Sequence, residues 1–110
     1  VSSLDYFDSV DEGRSYEYSE GNGFWAADPH YVFTNMFKYE REKLILGKHT
    51  IVEKRRTREI YNWLQCFSPE SLNEEFEQNG FRVVERFGDV SGTPYGCGSK
   101  EFAVVAEKVV

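Results

Sequence analysis

Trp25, His30, Tyr31 and Trp63 are the side chains in this sequence whose types suit contact with a small substrate. The Trp and Tyr rings offer flat apolar surface with one polar handle each, and the imidazole of His30 carries two polar nitrogens. Plain core packing competes with ligand contact at the aromatic positions. His30 follows Asp28-Pro29 at the entrance to an apolar run, where a lone histidine serves structure as readily as chemistry. A second group is basic: Lys54, Arg55, Arg56 and Arg58 make a cationic turn on an acidic chain. Arg56 and Arg58 would grip an anionic substrate or an acidic partner, against the ordinary reading of a solvated hairpin tip. His49 lies mid-strand with no obvious partner. Two histidines and two cysteines without short spacing do not make a metal site. Cys97 lies in a glycine-rich loop with no base beside it, so a thiol nucleophile is not indicated. Gly21-Asn22-Gly23 and Gly96-Cys97-Gly98 lie between no strand and helix, the setting a phosphate loop needs. No catalytic base can be named.

Composition bounds what these residues can serve. A chain of 110 residues is one domain with a modest core. Aromatic residues make up 16%, so the composition is not that of a disordered chain. The net charge of −6 argues against a nucleic-acid backbone as partner. Cys66 and Cys97 are too few for a disulfide framework, and reduced thiols fit a cytoplasmic protein. No apolar run approaches the roughly 20 residues of a membrane span, and no signal peptide is visible. Val1 reads as a boundary inside a longer protein rather than a natural start.

The elements that must position the candidates follow in chain order. Residues 1–29 are acidic and turn-rich and read as an irregular docking segment, in which Leu4, Tyr6, Phe7 and Val10 could make a short helix. Residues 30–67 hold three apolar runs, Tyr31 to Tyr39, Lys43 to Val52 and Arg56 to Phe67. Their short connectors predict an antiparallel three-strand meander. Gly47 suggests a bulge in the second strand. Residues 68–110 predict a helix followed by a terminal strand pair. Ser68 is the N-cap, Pro69 fits the first turn, and Leu72 and Phe76 share the apolar stripe. Gly80 stops the helix, and strands follow at Phe81 to about Phe87 and Glu101 to Val109. The three segments together predict one α+β structural domain with a mostly antiparallel sheet.

In that order, the pieces resemble the C-terminal half of a class I S-adenosylmethionine-dependent methyltransferase. The matching stretches are GFWAADPHYVFTNMFKY (23–39), SPESLNEEFEQNGF (68–81), FRVVERFGDVSGTPY (81–95) and EFAVVAEK (101–108). In that family a helix ending in Gly-Phe feeds the sixth strand, and the seventh returns antiparallel. The resemblance implies a partial Rossmann-like fold, with the meander as an insertion on the substrate side. It also implies that the chain begins near the end of the family's fifth strand. The glycine loop after the first strand and the acid after the second, which bind cofactor, are therefore absent. S-adenosylmethionine is expected in the intact enzyme, with no cofactor residue and no activity in this chain alone.

The implied partner is the missing N-terminal, cofactor-binding half. Removing that half exposes strand edges, which predicts a homodimer through those edges. Two other readings remain beside the methyltransferase. One is a non-enzymatic antiparallel-sheet module binding an apolar ligand or a protein. The other is an interaction domain using the basic hairpin.

Overall fold

The structure is a computed structural model that describes residues 1–96 and 98–109. Its elements are β1 (Ser2–Ser3), α1 (Leu4–Ser9), β2 (Gly13–Ser19), β3 (His30–Tyr39), β4 (Leu44–Glu53), β5 (Thr57–Phe67), α2 (Pro69–Gln78), β6 (Phe81–Phe87) and β7 (Ala103–Lys108). Two compact units share them. Asp11–Leu64 forms one, and Val1–Val10 with the described part of Gln65–Val110 forms the other.

In the first unit the strands lie in the order β5-β4-β3-β2. β3 and β4 pair antiparallel without interruption from His30↔Glu53 to Tyr39↔Leu44. The tight turn after β4 is closed by the Glu53 amide donating to the Arg56 carbonyl at 2.8 Å. The meander therefore lies where alternating apolar residues and short connectors predict it. Two features differ from the sequence reading. β2 falls within residues read as irregular and pairs antiparallel with β3 from Gly13↔Met36 to Ser19↔His30. It is an edge strand, so it needs one partner and little burial. Cross-strand ring pairs support it, with Tyr18 at 4.9 Å from Tyr31 and Tyr16 at 6.0 Å from Phe33. Its acids and serines hid that pattern. Gly47, in turn, marks no bulge in the β3–β4 ladder, which runs straight through Met36↔Gly47. A Cβ at Gly47 would stand 3.0 Å from His49 Nε2, so the glycine leaves room for that imidazole. The register shift falls instead in β6, between Val83 and Glu85.

In the second unit α2 is capped as the sequence predicts. Ser68 Oγ accepts from the Ser71 amide and Ser71 Oγ accepts from the Ser68 amide, each at 3.0 Å. Leu72 is buried, and Phe76 meets Phe81 edge-on at 6.0 Å. The Asn79 side chain donates to the Glu75 carbonyl at 2.7 Å, and Gly80 follows in the left-handed region at φ 82°. β6 and β7 then pair antiparallel from Phe81↔Lys108 to Phe87↔Ala103. Ser2 and Ser3 lie parallel to Cys66 and Phe67 at the end of β5. The same short strand is tied to the approach of β7, where the Phe102 amide donates to the Val1 carbonyl and the Ser3 amide to the Lys100 carbonyl, both at 3.0 Å. Phe7, Cys66, Leu72 and Phe102 are the buried apolar side chains of this unit. The molecule is thus α+β and mostly antiparallel, with few helices.

Two outcomes are expected. Ser68→Ala removes one half of the reciprocal cap and should cost about 1 kcal/mol in urea unfolding. Asp89 tests the turn after β6. The Ser91 hydroxyl and then Thr93 hold its carboxyl down to about 2 from the ordinary 3.8. The folded value lies below the unfolded one, so ionised Asp89 stabilises the turn above pH 3.8, and that contribution is lost as pH falls toward about 2. Urea unfolding across that interval should show a shallower acid dependence in Asp89→Asn than in the parent chain.

Candidate functional site

The two faces of the β2–β5 sheet have different characters, and each carries some of the candidate residues. Strand alternation places His30, Val32 and Thr34 on the same face as His49, Ile51 and Glu53, their partners across the ladder. The β2–β3 connection folds back on itself, with the Asn22 amide donating to the Ala27 carbonyl at 2.8 Å and the Gly23 amide to the Ala26 carbonyl at 3.0 Å. This lays Ala26 on Val32 and Ile51 as a small buried cluster, with Trp25 and Ile60 packed against it.

Polar contacts pin that cover in place. His30 is 2% exposed, and its Nδ1 lies 2.7 Å from the Asp28 carbonyl oxygen. A carbonyl only accepts, so Nδ1 carries the proton in this contact. The Arg58 guanidinium donates to the Trp25 carbonyl, and its Nε stands 3.8 Å from Glu53 Oε2. Trp25 lies against the His49 ring at a centroid distance of 4.7 Å, and His49 Nδ1 is 3.0 Å from Thr34 Oγ1. The Arg56 guanidinium is hydrogen-bonded to Glu53. That bond, joined by the charges of Arg56 and Arg58, holds the Glu53 carboxyl below the usual carboxylate range. Beside the hairpin a hollow of about 610 Å³ is lined by Asp28, Pro29, Glu53, Lys54, Arg55 and Arg56. Both charge signs face it, so it suits a ligand with a cationic and an anionic end better than a simple anion.

The opposite face is open along its aromatic rows, although Leu46, across from Phe37, is buried on it. Tyr16 and Tyr18 on β2 lie there beside Tyr31 and Phe33 on β3. Phe37 and Tyr39 continue the β3 row, and Tyr39 meets Trp63 of β5 at 5.6 Å. Lys48 stands 5.8 Å from the Tyr61 ring centroid and 3.5 Å from Glu59 Oε1. All eight rings are exposed.

The six candidate residues therefore divide. Trp25, His30, Arg56 and Arg58 gather on the closed face and its hairpin end, joined through Glu53 and the Asp28-Pro29 segment. Tyr31 and Trp63 stand on the open face. His49, Thr34, Asp28 and Glu53 were not singled out as site residues from sequence. The strand register predicts the Thr34–His49 meeting once the meander is accepted, whereas the Trp25 contact depends on how the connection folds. Among the described residues no three histidine, cysteine, aspartate or glutamate side chains cluster as metal ligands. Cys97 lies outside the described residues. Among them no helix is long and apolar enough to cross a membrane.

No family model matches the chain. No curated protein matches it. Among solved structures it is similar to the CcbJ methyltransferase from Streptomyces caelestis, at 14% identity and a TM-score of 0.61. The match covers 96% of this chain and 40% of that one, so the chain spans two-fifths of the length of that structure. At this identity the likeness is one of fold, and the fold is methyltransferase-like.

The two faces are expected to respond differently to truncation. Trp25→Ala removes the cover from the Val32–Ile51 cluster and should cost about 3 kcal/mol, near the low end for a large aromatic. Trp63→Ala, at a half-exposed ring, should cost less than about 1 kcal/mol. Urea unfolding of the two variants against the parent checks both.

Proposed function

We propose that this chain is the C-terminal, substrate-side part of an S-adenosylmethionine-dependent methyltransferase acting on a small acceptor. The observation that carries the reading is the fold likeness to a methyltransferase along 96% of the chain. Two structural features support the finer, Rossmann-like assignment. β6 and β7 form the antiparallel terminal pair that the resemblance implies, and Ser2–Ser3 supplies a parallel pairing beside the approach to β7. The β2–β5 sheet would be the insertion that covers the substrate.

On this reading the hollow beside the hairpin receives the acceptor. Lys54 and Arg55 would meet an anionic group and Asp28 a cationic one, with Arg56 held in place by Glu53. His30 would not exchange protons with substrate, because it is buried and holds the Asp28 carbonyl. Its part is to fix the Asp28-Pro29 wall. Catalysis would rest on positioning the acceptor atom against the methyl group, which the cofactor supplies when bound. The cofactor's own binding residues would lie in sequence preceding Val1, and the chain is proposed to work in the cytoplasm.

Calorimetry should detect no binding of S-adenosylmethionine to the 110-residue chain. The protein extended upstream should bind it and transfer labelled methyl to a small acceptor. Tight binding by the 110 residues alone, or an upstream sequence without a strand and glycine-rich loop, would refute the proposal. The second reading, a non-enzymatic binding module, draws on the open aromatic face. It predicts ligand density against Trp63 with no methyl transfer in the extended protein.

A further inference from the structure

We propose that the ligand of the hairpin hollow is a zwitterion with a flat apolar tail, of the class of the aromatic α-amino acids. Naming this class deepens the reading of the hollow as the acceptor's place and rests on it, while the class itself can be read from binding alone. All the residues involved belong to the Asp11–Leu64 unit.

The first support is the charge left over once the wall is latched. Arg56 is hydrogen-bonded to Glu53, and Arg58 Nε stands 3.8 Å from the same carboxylate. The lining keeps three exposed ionised side chains, Asp28, Lys54 and Arg55, that make no ion pair among the described residues. A simple anion would be drawn by Lys54 and Arg55 and repelled by Asp28, and a simple cation the reverse. A head carrying both a carboxylate and an ammonium group answers both signs with charge-assisted hydrogen bonds. A dianion or a dication would leave one sign of the lining opposed by its own kind. The hollow, of about 610 Å³, falls within the roughly 300–1,000 Å³ of small-molecule sites.

The second support is what adjoins it. A smaller hollow of about 270 Å³ shares Pro29, Glu53 and Lys54 with the first, and Tyr18, Tyr31 and Val52 line it as well. Those last three form one cross-strand row, since Tyr18 pairs with Tyr31 and Tyr31 with Val52. The two tyrosine rings are exposed and lie tilted at a centroid distance of 4.9 Å. Asp28 therefore lines the charged hollow, Tyr31 the aromatic one, and Pro29 both. A tail that lies against tyrosine rings is apolar, and a flat ring gains most there, because ring faces and edges attract one another beyond the area they bury. The smaller hollow is below the usual size of a small-molecule site, so it suits one side chain of a ligand rather than a whole ligand. One molecule spanning both would set its charged head on Asp28, Lys54 and Arg55 and its ring on Tyr18 and Tyr31.

Magnetic-resonance titration of the 110-residue chain with L-phenylalanine tests the class. Phenethylamine, hydrocinnamate and L-alanine serve as probes that lack the carboxylate, the ammonium group and the ring. L-Phenylalanine should shift the amide signals of Asp28, Lys54, Arg55 and Tyr31, and should bind roughly tenfold or more tighter than each of the other three. Asp28→Asn should weaken L-phenylalanine roughly tenfold and hydrocinnamate not at all, since the main-chain carbonyl that His30 holds is kept. Tyr18→Ala should weaken L-phenylalanine several-fold and leave L-alanine as it was, with the dispersion of the spectrum confirming that both variants are folded. No saturable shift with L-phenylalanine would overturn the proposal. So would binding no tighter than that of the singly charged probes, or binding at full strength in Asp28→Asn. The upstream-extended protein separates the two claims. Selective binding of L-phenylalanine without methyl transfer to any acceptor would keep the ligand class and refute the methyltransferase reading. Methyl transfer to an uncharged acceptor, with no binding of L-phenylalanine, would keep that reading and overturn the ligand class.

Discussion

The structure of the Asp11–Leu64 unit depends on closing one face of a thin antiparallel sheet. Four strands bury little apolar area by themselves, and a single sheet with two wet faces is not stable. The chain closes one face with its own β2–β3 connection. Ala26 and Trp25 lie over Val32, Ile51 and Ile60, and the burial of those side chains, with that of Ile45 and Leu46, is the apolar gain that holds the strands together. The cover is a loop, so its backbone must be held by specific bonds. Buried His30 grips the Asp28 carbonyl from one end, and Arg58 grips the Trp25 carbonyl from the other. Arginine is suited to that place because its several donors can serve a carbonyl while the charge stays beside Glu53.

This arrangement explains why the two histidines and two of the arginines are less available for chemistry than their types suggest. An imidazole 2% exposed, with Nδ1 bonded to a main-chain carbonyl, has a fixed tautomer and little access to a substrate. His49 is occupied by Thr34 and the Trp25 ring. Arg56 and Arg58 both spend contacts on Glu53. What remains free to recognise a ligand at this end is the mixed-charge wall of the hollow, with Asp28 and the exposed Lys54 and Arg55. The basic turn therefore acts as a neutralised corner with two spare cations rather than as a cationic claw.

Legibility from sequence followed the range of the interactions. The α2 cap is written in neighbouring residues, Ser68, Pro69 and Ser71, and the helix lies where they put it. The meander is written in alternation over ten residues at a time, and β3, β4 and β5 fall within a residue or so of their predicted ends. β2 was not legible, because its stability comes from a partner strand and from cross-strand rings rather than from its own pattern. At Gly47 the β3–β4 ladder runs straight, and the space the glycine leaves is taken by His49, which shares its face. The candidate residues divide between the two faces by strand alternation. Tyr31 lies next to His30 in sequence, yet adjacent strand residues point to opposite faces.

That last point bears on how the two faces divide the work. A closed face that latches Trp25, His30 and Arg58 makes a rigid back for the hollow, which is what the proposed positioning of a small acceptor would demand. The face paved with tyrosine and phenylalanine has no such latch. Its rings stand exposed in rows along β2, β3 and β5. The same alternation that separates Tyr31 from His30 thus separates the latched wall of the hollow from the exposed rings. Both can be built into one ten-residue strand because each claims every second side chain.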